Sequence, residues 1–410
     1  MPLVRYQRVL SSPAIRQALL LGILVRMPIF AGGVVLTLHV VSSLDRSYGA
    51  AGLVSAAATI AIAVSGPWRG RLLDRLGLRR VVVPSIVVAA VCWSIAPFVG
   101  YWLLLGLAAL AGLFVIPSFS IIRQAVIAAV PEGDRRTAIS LDSVAVELSF
   151  MVGPALGVWA ATIWPTSWVL FGIEMLGVAA GILLWVANPA IREADGETLL
   201  DEESVPQARA ATPRSQWFRA QFLAICLGAA ATTVVLGGSD IAIVAALRAF
   251  DAQSTIGWVL AIWGLGSLIG GLVYGGLHRS ISAFTLLAGL GLVTLPMAFA
   301  TGPMSLAGLA FVAGLLCAPT ITATIDQVSR VVPVSARGEA MGWHGSFMTA
   351  GMALGAPVAG VAIDLWGWGA GFVVVALAGF VVAVVGAGAT AGRARRRKAA
   401  APAPTAPAEV

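Results

Sequence analysis

The chain has 410 residues, of which 59% are hydrophobic and 11% charged, and its formal net charge is +7. Soluble domains carry about 25% charged residues, so an ordinary water-soluble core is excluded. Cys92, Cys226 and Cys317 each lie inside an apolar run, which excludes a disulfide framework and a cysteine-based metal site.

A spanning helix takes about 20 apolar residues, and lipid offers no partner to a free backbone group. The apolar runs here do not alternate with period two, which selects helices over a barrel. In chain order the sequence predicts twelve spans, at 17–41, 49–68, 81–97, 102–123, 138–161, 166–188, 218–247, 254–277, 281–300, 303–325, 338–362 and 367–390. The first is read as a span, not a cleavable signal, because no small-residue cleavage site follows it. Between Arg80 and Arg123 lie 42 positions without a charge. One helix of that length would be ~63 Å long, about twice the hydrocarbon core. The stretch must therefore be a hairpin, turning at Ala96-Pro97-Phe98-Val99-Gly100-Tyr101-Trp102. A second uncharged hairpin, Ser280 to Ile325, turns near Thr301-Gly302-Pro303.

With both termini on the same side, 23 basic residues fall on that side and only Arg46 and Arg248 on the other. The positive-inside rule makes that side cytoplasmic and implies a multi-pass protein of a bacterial-type cell membrane. The net charge is then a topology signal and calls for no nucleic-acid partner. Residues 189–217 are acidic and proline-containing and read as a cytoplasmic linker between six-span units at 1–188 and 218–391. Residues 392–410 read as a disordered basic tail.

The halves repeat. Val130-Pro131 to Ala138 before span 5 matches Val332-Pro333 to Ala340 before span 11 at an offset of 202, which Gly153 and Gly355 keep. Gly52, Gly66, Gly70 and Leu72 match Gly257, Gly271, Gly275 and Leu277 at an offset of 205. A duplicated six-plus-six helical membrane protein points to a secondary transporter.

Between spans 2 and 3 the chain reads Gly70-Arg71-Leu72-Leu73-Asp74-Arg75-Leu76-Gly77-Leu78-Arg79-Arg80. This resembles the signature loop of the major facilitator superfamily. Gly153-Pro154-Ala155-Leu156-Gly157 on span 5 is similar to an element of its proton-coupled antiporters, which export drugs and natural products. The resemblance covers residues 14–390. It implies an all-α fold of two pseudo-symmetric six-helix bundles working by alternating access. It also implies that Asp74 approaches the start of span 11, where a helix N-terminus favours negative charge. Asp74 with Gly70, Arg75, Gly77 and Arg79 would form a latch at the inner surface. Gly153 and Gly157 share one face, and with Pro154 bending the helix they would meet small residues of span 8 across the halves. One departure stands out. Antiporters of this kind often carry an arginine within span 4, whereas here Arg123 lies at its inner end. Arg26 is the expected substitute.

Ionisable groups inside spans are costly, which makes each a functional candidate. Arg26 on span 1 and Glu147 on span 5 both lie ~15 Å from the inner surface, and the depth match predicts that they pair. The pair either couples transport to protons or fixes packing. Asp240 follows Gly237-Gly238, a glycine pair able to break span 7, and is a candidate for proton or cation binding. Glu174 on span 6 and His344 on span 11 are weaker candidates, and a buried hydrogen bond explains His344 and His39 as well. Asp142 and Asp326 lie where arginines can neutralise them. Spans 4 and 10 add Ser118, Ser120, Thr320, Thr322 and Thr324.

The sequence thus predicts a monomeric, proton-coupled exporter of a small amphipathic organic molecule, with no cofactor and no metal. Import by proton symport is the second reading. No metal motif, phosphate loop or attached signalling domain favours an enzyme or a sensor.

Overall fold

Prolines and glycines set the helix boundaries of this chain. The computed structural model describes residues 2–46, 48–191, 212–277 and 280–399, which leaves most of the predicted linker, 192–211, and the tail residues 400–410 outside the described residues. After an amino-terminal helix, Pro2–Ser11, the helices are numbered by span. They are α1 Pro13–Ser42, α2 Tyr48–Leu76, α3 Leu78–Ile95, α4a Tyr101–Leu113, α4b Ser118–Ala128, α5 Arg135–Ile163 and α6 Thr166–Ala187. The second half follows with α7 Ala220–Ala249, α8 Ile256–Gly276, α9 Ala283–Thr294, α10 Pro303–Val331, α11 Arg337–Trp366 and α12 Trp368–Ala399. Among the described residues eleven helices are long and apolar enough to cross a membrane, and the ninth span, Ala283–Phe299, is shorter.

The end of this span has a feature shared by both halves. Proline cannot donate to the helix ladder, so the chain tightens into a 3-10 turn at Ala96–Phe98 after α3 and at Leu295–Phe299 after α9. Likewise 3-10 turns at Glu132–Asp134 and Val334–Ala336 precede α5 and α11. The repeat seen in the sequence is therefore a repeat of structure. Gly77 joins α2 to α3 at φ 77°, a left-handed conformation that a glycine adopts without strain. Asn188 ends α6 in the left-handed conformation, at the predicted edge of the first unit.

Three local expectations are corrected. Span 4 is not one helix, because Pro117 interrupts it and the chain resumes as α4b, reaching Ala128. The tail is helical as far as Ala399, since alanine, arginine and lysine are good helix formers and basic groups suit a helix C-terminus. Finally, Gly237 and Gly238 do not break α7. They let it lie against Met352 and Gly355 of α11 and Val375 of α12.

Each half has its own apolar cores, such as Leu21, Val82 and Val126 in the first and Ile243, Leu306 and Phe372 in the second. One core draws on both halves, joining Ile127 and Ile139 to Trp217, Phe222, Ile325 and Met341. It lies at the arginine-rich end of the molecule. There the halves meet along two helix pairs, α2 with α11 and α5 with α8. Small residues let the backbones touch. A Cβ at Gly66 would stand 3.2 Å from the Gly342 carbonyl oxygen, and one at Gly70 would collide with the Gly338 carbonyl. In the other seam Gly271 and Gly275 face Ser140. Ser140 donates to the Gly271 carbonyl, Thr137 to that of Gly275 (2.6 Å) and Arg136 to that of Leu277 (2.9 Å). The amino-terminal helix straddles this seam, with Arg8 on Asp134 at 2.5 Å and Tyr6 donating to the Leu272 carbonyl.

Gly70→Val should force α2 from α11, at the roughly 1–3 kcal/mol of an overpacked site. Ala340, fully buried on α11, gives the readout. A cysteine placed there should resist a water-soluble maleimide in the parent and react in the Gly70→Val background. Equal protection in both would contradict a glycine-dependent seal.

Candidate functional site

At the arginine-rich end, Asp74 of α2 is buried and accepts the backbone N–H groups of Gly338 and Glu339, each at 2.8 Å. These are first-turn groups of α11, which no helix satisfies by itself, and the helix dipole adds to the attraction. The expected approach of Asp74 to this helix is thus present. The arginine partners differ from the expectation. Arg75 and Arg79 are exposed, and Arg79 stacks on Trp185 of its own half at 5.6 Å. Arg71, three residues before Asp74 and so on the same helical face, reaches Glu339 at 3.7 Å. Arg214, at the end of the linker, holds the same buried carboxylate at 2.5 Å. Glu339 was missed in the sequence, although its place on the first turn of α11 is where a carboxylate is favoured.

The second group lies inside the first half. Arg26 of α1 is fully buried, but its partner is Asp142 and not Glu147. The guanidinium grips both carboxylate oxygens, at 2.6 and 3.3 Å. Depth alone could not separate the two acids. Five residues apart on α5, they point about 140° apart around the helix, and only Asp142 faces α1. Arg123 of α4b is the third member, with Nε 3.7 Å from the same carboxylate. Arg26 and Arg123 both lie over the Phe119 ring, at 4.8 and 5.4 Å. Two cations thus share one anion in a buried site, a strong arrangement only when the remaining donors find acceptors.

Glu147 faces the other half. It lies against Gly264 of α8, and Asp240 of α7 is within its electrostatic reach. Two carboxylates, one from each bundle, thus lie within electrostatic reach of each other, and neither forms an ion pair with a basic side chain among the described residues. Glu174 is elsewhere, between α6 and Gly32 of α1. His344 is buried with one ring nitrogen 2.9 Å from Thr324, the hydrogen bond anticipated for it. His39 is held by Thr166 in the same way, at 3.1 Å. Asp326 is paired with Arg330.

Gly153, Pro154 and Gly157 do not make the contact expected of them. Gly153 lies against the backbone of Met27 and Gly157 against Ala31 and Val35, all on α1 in the same half. Gly351 and Gly355 repeat this contact between α11 and α7. The small face belongs to the pairing inside each bundle. The pairing between bundles uses the α5 face one turn and more nearer the arginine-rich end.

A family model described as Major Facilitator Superfamily matches residues 18–250 and again 223–410. The chain belongs to the major facilitator superfamily. Solved structures of superfamily type agree in fold. A bacterial homologue of the iron transporter ferroportin, in an outward-facing state, superposes with a TM-score of 0.74 at 15% identity, covering 92% of this chain and 99% of that one. The human organic anion transporter MFSD10 (TETRAN) gives 0.62 at 16%, covering 93% and 99%. The proton:xylose symporter XylE, bound to 6-bromo-6-deoxy-D-glucose, gives 0.66 at 13%, covering 91% and 95%. Comparison with curated proteins returns no match. The chain therefore has the fold of a secondary transporter in a lipid membrane, a fold in which small molecules are carried between two rocking bundles.

Within this superfamily member the two acidic sites should respond differently to neutralisation. Asp142→Asn leaves Arg26 and Arg123 buried without an anion and should cost about 3–5 kcal/mol. Glu147→Gln removes no ion pair and should cost less than about 1 kcal/mol. Unfolding in mild detergent measures both, and equal losses would refute the assignment of Asp142 as the partner of Arg26.

Proposed function

We propose that the protein is a proton-coupled secondary transporter that exports a small amphipathic organic molecule by alternating access. The observation that carries this reading is that Glu147 and Asp240, one from each bundle, lie within electrostatic reach of each other with no basic ion-pair partner among the described residues. A lone ionised carboxylate inside a membrane protein is costly, and two close together are costlier. Proton binding relieves both costs, so occupancy by protons biases how closely α5 and α7 approach across the interface. Arg26, locked to Asp142, is then a fixed element of the first bundle and not the responding partner.

The seal at the arginine-rich end supports an assignment of state. By the positive-inside rule that end is cytoplasmic, which makes this conformation outward-facing. Asp74 on the α11 N-terminus and Glu339 between Arg71 and Arg214 act as the latch that opens on switching. Gly70 provides the close approach the latch needs, and Gly77 turns the chain so that the loop returns to α3. Apolar helices beyond the seal favour amphipathic cargo over sugars, which need many polar contacts. The protein acts as a monomer, since each bundle has its partner within the chain.

Proteoliposomes test the reading. Glu147→Gln should abolish flux driven by a pH gradient yet retain exchange of labelled for unlabelled substrate, which needs no net proton movement. Asp240→Asn should act in the same direction. Export and import separate by the sign of the gradient, as export requires substrate and protons to move in opposite directions. Full gradient-driven flux in the Glu147→Gln, Asp240→Asn double variant would remove the coupling assignment.

A further inference from the structure

The neutralisation of Arg26 by Asp142 leaves Arg123 with only a share of that carboxylate. Its side chain is 6% exposed, its buried Nε has no hydrogen-bond partner among the described residues, and its ion-pair contact there is the long 3.7 Å approach to Asp142. Its nearest anion, Asp142, is already held through both oxygens by Arg26. On the α11 side the titratable group within its electrostatic reach is His344, which brings no negative charge. A guanidinium carries five N–H donors in a planar fork suited to a carboxylate, and burying such a group without an acceptor is strongly unfavourable. The rest of the site favours negative charge too. The Arg26, Asp142 and Arg123 group carries one unit of positive charge in excess. The N-terminus of α4b, freed by the break at Pro117, lies one turn away and adds a positive dipole end.

An apolar track leaves from the same point. Arg123 lies on Phe119, whose ring meets Phe30 edge to face at 6.5 Å, and Phe30 meets Phe150 at 5.4 Å. Phe150 is half-exposed on α5, the helix that carries Glu147. The sequence thus joins a cationic point to a ladder of three aromatic rings along α4b, α1 and α5.

We propose that Arg123 docks the carboxylate of an amphipathic organic anion whose apolar body lies along Phe119, Phe30 and Phe150. This deepens the transport reading by naming the charge of the cargo, and it rests on that reading for its biological role. The binding site itself stands on the geometry alone. Arg26 and Asp142 are positioning residues: Arg26 lies over Phe119, and its grip on both Asp142 oxygens leaves Arg123 only the long 3.7 Å contact to that carboxylate.

Binding and transport are measured separately. Purified protein in phosphatidylcholine nanodiscs is titrated by calorimetry with a set of aryl and medium-chain carboxylates, headed by naphthalene-2-carboxylate, and with the matching carboxamides. The carboxylates should bind and the carboxamides bind at least about tenfold more weakly, the loss expected when a charge-assisted pair is replaced by a neutral one. R123Q should abolish the preference. R123K keeps the charge without the fork and should retain only part of it, so a folding failure of R123Q does not remove the test. Repeating the titration with phosphatidylglycerol present distinguishes cargo from lipid, because an unchanged carboxylate affinity excludes occupation by the anionic headgroup. Equal binding of carboxylates and carboxamides, no binding of any carboxylate, an R123Q profile like the parent, or a carboxylate signal lost to phosphatidylglycerol each overturns the proposal. Binding that depends on Arg123 without gradient-driven uptake or release in proteoliposomes would instead sink the transport reading and leave the site.

Discussion

Every helix begins with N–H groups that it cannot satisfy, and in this protein the start of α11 is satisfied from the other half of the molecule. Asp74 on α2 accepts two of those groups, and the contact is possible only because Gly70 and Gly338 bring the backbones together. That single requirement organises the arginine-rich end. It fixes the register of α2 against α11, places Glu339 where Arg71 and Arg214 can hold it, and covers the core shared by Ile139 and Met341. The second seam repeats the geometry through Gly271 and Gly275, with two hydroxyls and the cation of Arg136 on backbone carbonyls in place of a carboxylate.

The distribution of buried charge follows from the same division into bundles. Positive charge is kept within the first bundle, where α1, α4b and α5 hold Arg26 and Arg123 around one carboxylate. Negative charge is left at the boundary, where Glu147 lies against Gly264 of the other half within electrostatic reach of Asp240. A group locked inside a rigid bundle travels with it during rocking, whereas groups at the boundary change their surroundings. The placement therefore separates a fixed electrostatic feature from one that senses conformation.

Much of this was legible in the sequence, and the reasons for the failures are specific. Helix number, the six-plus-six division and the Asp74 contact follow from runs of apolar residues, an internal offset and a motif with a physical role. The partner of Arg26 was not legible, because depth along a span is one coordinate and rotation about the helix is another. Asp142 and Glu147 differ little in depth and greatly in rotation, and no periodicity separated them in a span that is apolar on most faces. The Gly153 and Gly157 face failed for a related reason. A small-residue stripe reveals that something packs closely and not which neighbour does so, and here the neighbour is α1. The break before α4b was visible as Pro117, but among the described residues six other helices carry an internal proline, and only the packing shows which are interrupted and which merely bend.

The unequal chemistry of the two seams has a mechanical consequence. Dissolved ions weaken contacts between charges and leave a hydroxyl on a carbonyl nearly untouched. The α2 edge of the seal, held by Asp74, Arg71 and Glu339, rests mainly on charge, whereas the α5 edge combines the hydroxyls of Thr137 and Ser140 with the cation of Arg136, so ions act on a larger share of the α2 edge. A pseudo-symmetric molecule thus has an asymmetric hinge.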